Sequence, residues 1–256
     1  MSVPRPPRLA VTMGDAAGVG PEVIAGCWAD ERIHRVSRPL VIGHPDVLRR
    51  ASRLRDDRLY VMEIDTVEAL DDLTFSPLMI PCLVVGDDQL LEVATGQVDP
   101  RTGEAAYLAV RLAAELALAG EIEGIVTAPI NKAALHAAGH VYPGHTELFA
   151  ELCGAPQFAM MLYLPPGVAN QSPAGLGVVH VTLHTALRNV FAQITIDAVI
   201  EKCQLANDMM LRLGACAPRI GVAALNPHGG EEGLFGDEEI RILAPAVEQA
   251  KRAGID

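Results

Sequence analysis

Aromatic side chains make up only 4% of this 256-residue sequence, with a single tryptophan, so its core must be built from Ala, Val, Leu and Ile. Half the residues are apolar, enough for a sizeable core in one large domain or two small ones. Basic residues are also scarce. Twenty Lys and Arg stand against 32 Asp and Glu, a formal net charge of −12. An acidic chain without a basic stripe argues against nucleic acid and against an anionic membrane surface as partners. The five cysteines, Cys27, Cys82, Cys153, Cys203 and Cys216, are odd in number and scattered, with no CxxC pair. That argues against a disulfide framework and a cysteine zinc site, and for buried thiols in a reducing compartment. No apolar run reaches the length of a membrane span. The most apolar helix, near Tyr107 to Ala119, is broken by Arg111 and Glu115. The N-terminal stretch Met1 to Pro7 lacks the apolar segment of a secretory signal, so a cytoplasmic location is expected.

What the sequence does contain is an alternation of apolar runs and helical spacings. Leu9 to Met13, Pro39 to Gly43, Tyr60 to Met62, Cys82 to Gly86 and Gly124 to Val126 read as strands. The first runs into a glycine-rich turn, Gly14-Asp15-Ala16-Ala17-Gly18-Val19-Gly20, with Pro21 suited to a first helical turn. The turn is neither G-x-G-x-x-G nor a P-loop. It reads as a tight turn, or as a helix N-terminus open to an anion. Asp46 to Arg53 is a short helix. Arg101 to Ala119 is a long one, with Leu108, Leu112, Leu116 and Ala119 on its core face and Gly120 as its stop. Phe158 to Leu164 and Leu176 to His184 read as hairpin strands around a loop from Pro165 to Gly175. Thr195 caps a helix with Val199, Cys203, Ala206, Met210 and Leu213 as its buried stripe, and Gly214 stops it. Ile220 to Leu225 reads as a strand ended by the glycine-rich Asn226 to Gly233. Asp237 opens a last helix, kinked at Pro245 and closed by Gly254. The alternation predicts an α/β fold with a largely parallel sheet and at least one hairpin.

Polar clusters follow the strand ends: Asp15, the stretch from Lys132 to Thr146, His184 and His228. Four such clusters predict one shared cleft beyond the carboxyl ends of strands. The densest, Thr127 to Glu147, gathers Lys132, His140, His145, Thr146 and Glu147 beside Gly and Pro residues that let the backbone turn tightly. Its bland alternative is an ordinary solvated connection. Thr146 reads as the N-cap of a helix reaching Leu152. Of eight histidines, His34 and His44 fall in surface-like segments, His136 and His140 read as solvated, and His180 falls mid-strand on the face of His184. His184 and His228 each end an apolar strand. Two neutral imidazoles make half of a Zn²⁺ or Co²⁺ site. A third ligand would come from His145, a carboxylate, a partner subunit or further sequence.

These motifs in this order resemble the 4-hydroxythreonine-4-phosphate dehydrogenase family over nearly the whole chain. The residues are Met13-Gly14-Asp15 with Gly18-Val19-Gly20-Pro21-Glu22, Thr127-Ala128-Pro129-Ile130-Asn131-Lys132, Gly144-His145-Thr146-Glu147, Thr182-Leu183-His184 and Leu225-Asn226-Pro227-His228-Gly229. The resemblance implies the two-domain α/β/α architecture of the isocitrate and isopropylmalate dehydrogenases, with domains at 1–125 and 126–256. It implies a cytoplasmic homodimer with its active site in an interdomain cleft at the dimer interface. The implied reaction is a metal-dependent, NAD- or NADP-dependent oxidation of a secondary hydroxyl in a small phosphorylated hydroxy acid such as 4-phosphooxy-L-threonine. If a carboxylate lies β to the new ketone, CO₂ is lost. His145 and Thr146 would bind substrate, Lys132 would fix an anion or assist proton transfer, and His184 and His228 would bind a divalent metal (Zn, Co or Mg). The nicotinamide contacts are not assigned. The family's third metal histidine, in a Tyr-His-Asp-Gln-Gly motif, lies beyond Asp256, so the resemblance implies an absent C-terminal part and an impaired 256-residue chain. The loop at Pro165 to Gly175 and the run His180 to His184 point toward relatives acting on four-carbon sugar-acid phosphates or cis-dihydrodiols. The competing readings are a non-catalytic relative without its cofactor segment, and a metal-dependent hydrolase or lyase without nicotinamide.

Overall fold

A computed structural model describes residues 5–55, 58–73, 76–168 and 172–256. Residues 1–4 of the N-terminal stretch and 169–171 of the Pro165 to Gly175 loop lie outside the described residues. The chain divides into two compact units, Met1–Ala155 and Pro156–Asp256. That division falls well beyond the 125/126 boundary expected from the sequence. The reason is that the strand at Gly124–Thr127 pairs with the first strand, which keeps the residues after it in the first unit.

In the first unit, β1 (Arg8–Thr12) is followed by α1 (Gly20–Trp28), α2 (Glu31–Val36), β2 (Arg38–Gly43), α3 (Pro45–Arg55), β3 (Tyr60–Ile64), β4 (Met79–Val84), α4 (Pro100–Leu118), β5 (Gly124–Thr127), α5 (Lys132–Ala137) and α6 (His145–Leu152). Five parallel strands lie in the order β3-β4-β2-β1-β5. Every residue of β2 is buried, as expected of a central parallel strand covered on both faces. Period-two alternation divides the core. Val41 packs with Ile24, Trp28, Leu48 and Ile80 on one side, while Leu40 and Ile42 pack with Ala10, Ala109 and Ala113 on the other. The lone tryptophan is fully committed to this core: Trp28 is 3% exposed, and its Nε1 donates to the Met79 carbonyl at 2.7 Å.

The buried face of α4 is not the leucine stripe read from the sequence. It consists of Thr102, Gly103, Ala105, Ala106, Ala109, Val110, Ala113 and Ala114, with Leu112 and Leu116 packed at its margin and Ala119 exposed. Small side chains let another backbone approach. A Cβ placed on Gly103 would lie 2.1 Å from the Ala134 carbonyl oxygen of α5.

In the second unit, β6 (Met161–Leu164) and β7 (Leu176–Val179) form an antiparallel hairpin. α7 (Leu187–Gln193), α8 (Ile196–Arg212), a turn at Pro227–Gly233, a π-helical turn at Glu239–Leu243 and α9 (Ala244–Arg252) complete it. Thr195 caps α8, its side chain accepting from Ala198 N, and Val199, Cys203 and Ala206 pack against Leu243, Ala246, Ala250 and Ile255. Met210 and Leu213 are only half-buried. Pro245 has no N–H for the helical ladder, and the change from π to α winding falls beside it. Two strand expectations are corrected. The strand beginning at Leu176 ends at Val179, short of His180 and His184. Ile220 to Leu225 is not a strand among the described residues, although Ile220 N donates to the Asp256 carbonyl at 2.7 Å. No described helix is long and apolar enough to cross a membrane.

Candidate active site

β1 is the strand at which the sheet order reverses, with β2 on one side and β5 on the other. Ligands of open α/β sheets bind beyond the carboxyl ends of strands at such a point. The loops leaving β1 and β5 meet there. Asp15 N donates to the Pro129 carbonyl at 3.0 Å. Gly14 has φ +73°, and a Cβ on it would lie 2.4 Å from the Pro129 oxygen, so only glycine permits this junction. Asp15 is buried and accepts from Ala17 N at 3.0 Å, which makes it the clasp of the turn.

α5 begins at Lys132 because Asn131 caps it, its Oδ1 accepting from Ala133 N at 3.0 Å and Ala134 N at 3.2 Å. Lys132 is exposed at the first helical position. The chain then turns back through two histidines that are bonded rather than merely solvated. His136 Nε2 lies 3.1 Å from the Tyr142 carbonyl. His140 Nε2 lies 2.7 Å from Glu104 Oε2, and its ring stacks on Tyr107 at 3.6 Å between centroids. Both contacts fix the segment leading to α6. The N-cap of α6 is Gly144, not Thr146, which lies inside the first helical turn. His145 and Thr146 therefore present backbone N–H groups that have no acceptor in the helix.

His145 is half-buried, and its Nε2 is fully shielded without a hydrogen-bond partner. Burial lowers its pKa, and the charge of Lys132 lowers it further. The two side chains named from the sequence are thus electrostatically coupled, and the imidazole is held toward its neutral form.

His184 and His228 lie in the second unit and are exposed. Neither ends a strand. Both have left-handed backbones, φ 45° and 52°, and His228 opens a run of five such residues through Glu232. Among the described residues only these two histidines, Glu231 and Glu232 are non-glycine residues with positive φ. Each such residue costs roughly 1–2 kcal/mol, and strain of this kind clusters at functional sites. Among the described residues no three His, Cys, Asp or Glu side chains come together to hold a metal. By donor chemistry each of the two imidazoles suits a borderline divalent cation.

Three features escape sequence reading. His44 is buried, 4% exposed, directly after β2, with Nε2 3.3 Å from Asp88 Oδ1, not surface-like. His34 is likewise bonded, 2.6 Å from the Trp28 carbonyl. Glu239 reaches back across the second unit's turn. Its Oε1 accepts from Leu225 N at 2.9 Å and Asn226 N at 2.6 Å, and its Oε2 accepts from Asn226 Nδ2 at 2.8 Å. The backbone and side-chain N–H groups of Asn226 pull its carboxyl down to about 2. Only an unusual density of acids after a glycine-rich loop could have signalled it.

A parallel sheet with Lys132 and His145 on the segments that follow β5, beside the reversal strand β1, has the arrangement of an α/β fold with a small-molecule site. Comparison with known proteins narrows the class. The family of the pyridoxal phosphate biosynthetic protein PdxA matches residues 35–256. The chain is 41% identical to the D-threonate 4-phosphate dehydrogenase of Pectobacterium atrosepticum, over 97% of this chain and 72% of that one. It is 40% identical to the 4-hydroxythreonine-4-phosphate dehydrogenase of Trichlorobacter lovleyi, over 100% of this chain and 73% of that one. The crystal structure of 4-hydroxythreonine-4-phosphate dehydrogenase from Klebsiella pneumoniae superposes with a TM-score of 0.84 at 38% identity, covering 97% of this chain and 73% of that one. The chain belongs to the PdxA family. It is a dehydrogenase acting on a CH–OH group.

Proposed function

We propose that the protein oxidises the secondary hydroxyl of a phosphorylated four-carbon hydroxy acid, D-threonate 4-phosphate or 4-hydroxythreonine 4-phosphate, with NAD or NADP as hydride acceptor. The observation that carries this reading is the neutral-biased His145 beside Lys132, at the start of α6. A neutral imidazole offers one donor and one acceptor nitrogen, which suits it to hydrogen-bond a substrate hydroxyl. The Thr146 hydroxyl and the backbone N–H groups of His145 and Thr146 suit a phosphate or carboxylate oxygen. Lys132 adds a positive charge for the same anion, or assists proton transfer. His184 and His228 would supply two imidazoles to a divalent cation, Zn, Co or Mg. When bound, such an ion lowers the pKa of a substrate hydroxyl. In both candidate substrates, oxidation at the hydroxyl β to the carboxylate yields a β-keto acid, which can lose CO₂.

The two-domain likeness to isocitrate and isopropylmalate dehydrogenases and a homodimeric assembly belong to the same reading. The test is nicotinamide reduction with each substrate, each of NAD and NADP, and each metal, with metal content measured alongside. We expect turnover with a phosphorylated four-carbon acid, and lowered metal content in His184→Ala and His228→Ala but not in His34→Ala. Metal-dependent turnover without NAD or NADP would overturn it in favour of a hydrolase or lyase.

A further inference from the structure

We propose that Glu239 is a positioning residue for His228, the latch that holds the histidine's left-handed turn in a shape able to take a divalent cation. The proposal rests on the reading of His228 as a metal ligand. It goes beyond that reading by assigning the residue that aims the ligand.

The geometry is local and specific. Pro227, between Asn226 and His228, has no N–H to give, so the last backbone donors before His228 are those of Leu225 and Asn226. Glu239 Oε1 takes both, at 2.9 and 2.6 Å. The Asn226 side chain is held on the same side, its Nδ2 2.8 Å from Glu239 Oε2 and 2.8 Å from Glu238 Oε2. Asn226 stands two residues before the strained run and is tied into it, its carbonyl accepting from Gly229 N at 3.1 Å. The far end is closed by Phe235 N donating to the Gly230 carbonyl at 3.0 Å. A run of five left-handed residues is unfavourable unless its surroundings over-determine it. One carboxylate gripping three N–H groups at its entrance is such a constraint, because hydrogen bonds to an ionised acceptor are the stronger kind. Glu239 lies in the π-helical turn Glu239–Leu243, packed through Leu243 against α8 and α9, so the latch is anchored in the second unit's core.

The experiment is a Zn²⁺ titration against a competing chelating dye, on the purified protein and on Glu239→Ala, Glu239→Gln, His228→Ala and, as a surface control, Glu248→Ala. Hydrogen exchange at the Leu225 and Asn226 amides is read in parallel. We expect Glu239→Ala to weaken Zn²⁺ binding roughly tenfold to a hundredfold, as removal of a group that orients a metal ligand does. Exchange at both amides should accelerate. Glu239→Gln keeps an oxygen acceptor and should restore part of the affinity, while the thermal midpoint of both variants stays near that of Glu248→Ala. Wild-type affinity in Glu239→Ala, with binding lost in His228→Ala, overturns the latch and leaves the ligand assignment standing. Wild-type affinity in His228→Ala overturns the ligand assignment and the latch with it.

Discussion

Burial first, and the ammonium of Lys132 second, hold the His145 imidazole below its ordinary pKa. In the unfolded chain a histidine titrates at about 6.5. The folded value is lower, so the unfolded state takes up the proton first as pH falls. The folded state's advantage is complete above the unfolded value and is lost as pH drops through the folded one. Lys132→Met should raise the His145 pKa but leave it below the ordinary histidine value, because burial, the larger cause, remains. His145→Gln should flatten the stability profile on the acid side. NMR titration of the ring protons checks the first and urea unfolding against pH the second. An unmoved pKa in Lys132→Met would mean the two groups are not coupled.

Close approach of α4 and α5 sets where Lys132 stands. Gly103→Ala would drive a methyl into the Ala134 carbonyl, at 2.1 Å before any shift. Overpacking of this kind costs about 1–3 kcal/mol. We expect a stability loss of that order by urea unfolding, and a displaced His145 titration as α5 moves. A fully stable variant with an unchanged titration would show that the helices part without effect on the site.

Dimerisation, if it uses the second unit, should draw on the hairpin. Leu162 pairs with Val178 and Leu164 with Leu176, so these four side chains share one face. Leu162, Leu176 and Val178 are each at least half exposed, at 59%, 52% and 50%. Val178→Lys should shift the protein toward a monomer in light scattering while sparing the α8 packing on the other face. A dimer of undiminished strength would place the interface elsewhere.

Some of this was open to reading from sequence, and the reasons are physical. The central parallel strand shows because it is buried on both faces, so that after Arg38 β2 runs apolar from Pro39 to Gly43. Thr195 shows as a cap because its local chemistry decides the matter. The core face of α4 misleads because leucine is the stronger hydrophobic signal, whereas the close helix contact requires alanine and glycine. Thr146 misleads similarly: a good capping residue was passed over for Gly144, two residues earlier. His184 and His228 are singled out in the sequence by type and order, but their left-handed backbones arise from turns that no periodicity announces. Glu239 was hidden because its partners lie more than ten residues away and meet it only in three dimensions.

Trp28 gives the molecule a built-in optical reporter with a defined field of view. It is the sole indole in the sequence, it is shielded from water, and it belongs to the first unit. The second unit carries only Tyr and Phe. Its intrinsic fluorescence therefore follows melting around the parallel sheet and is silent to melting around α8 and α9, which circular dichroism still registers. Two transitions that separate between these signals would reveal two independently cooperative units; coincident curves would reveal one.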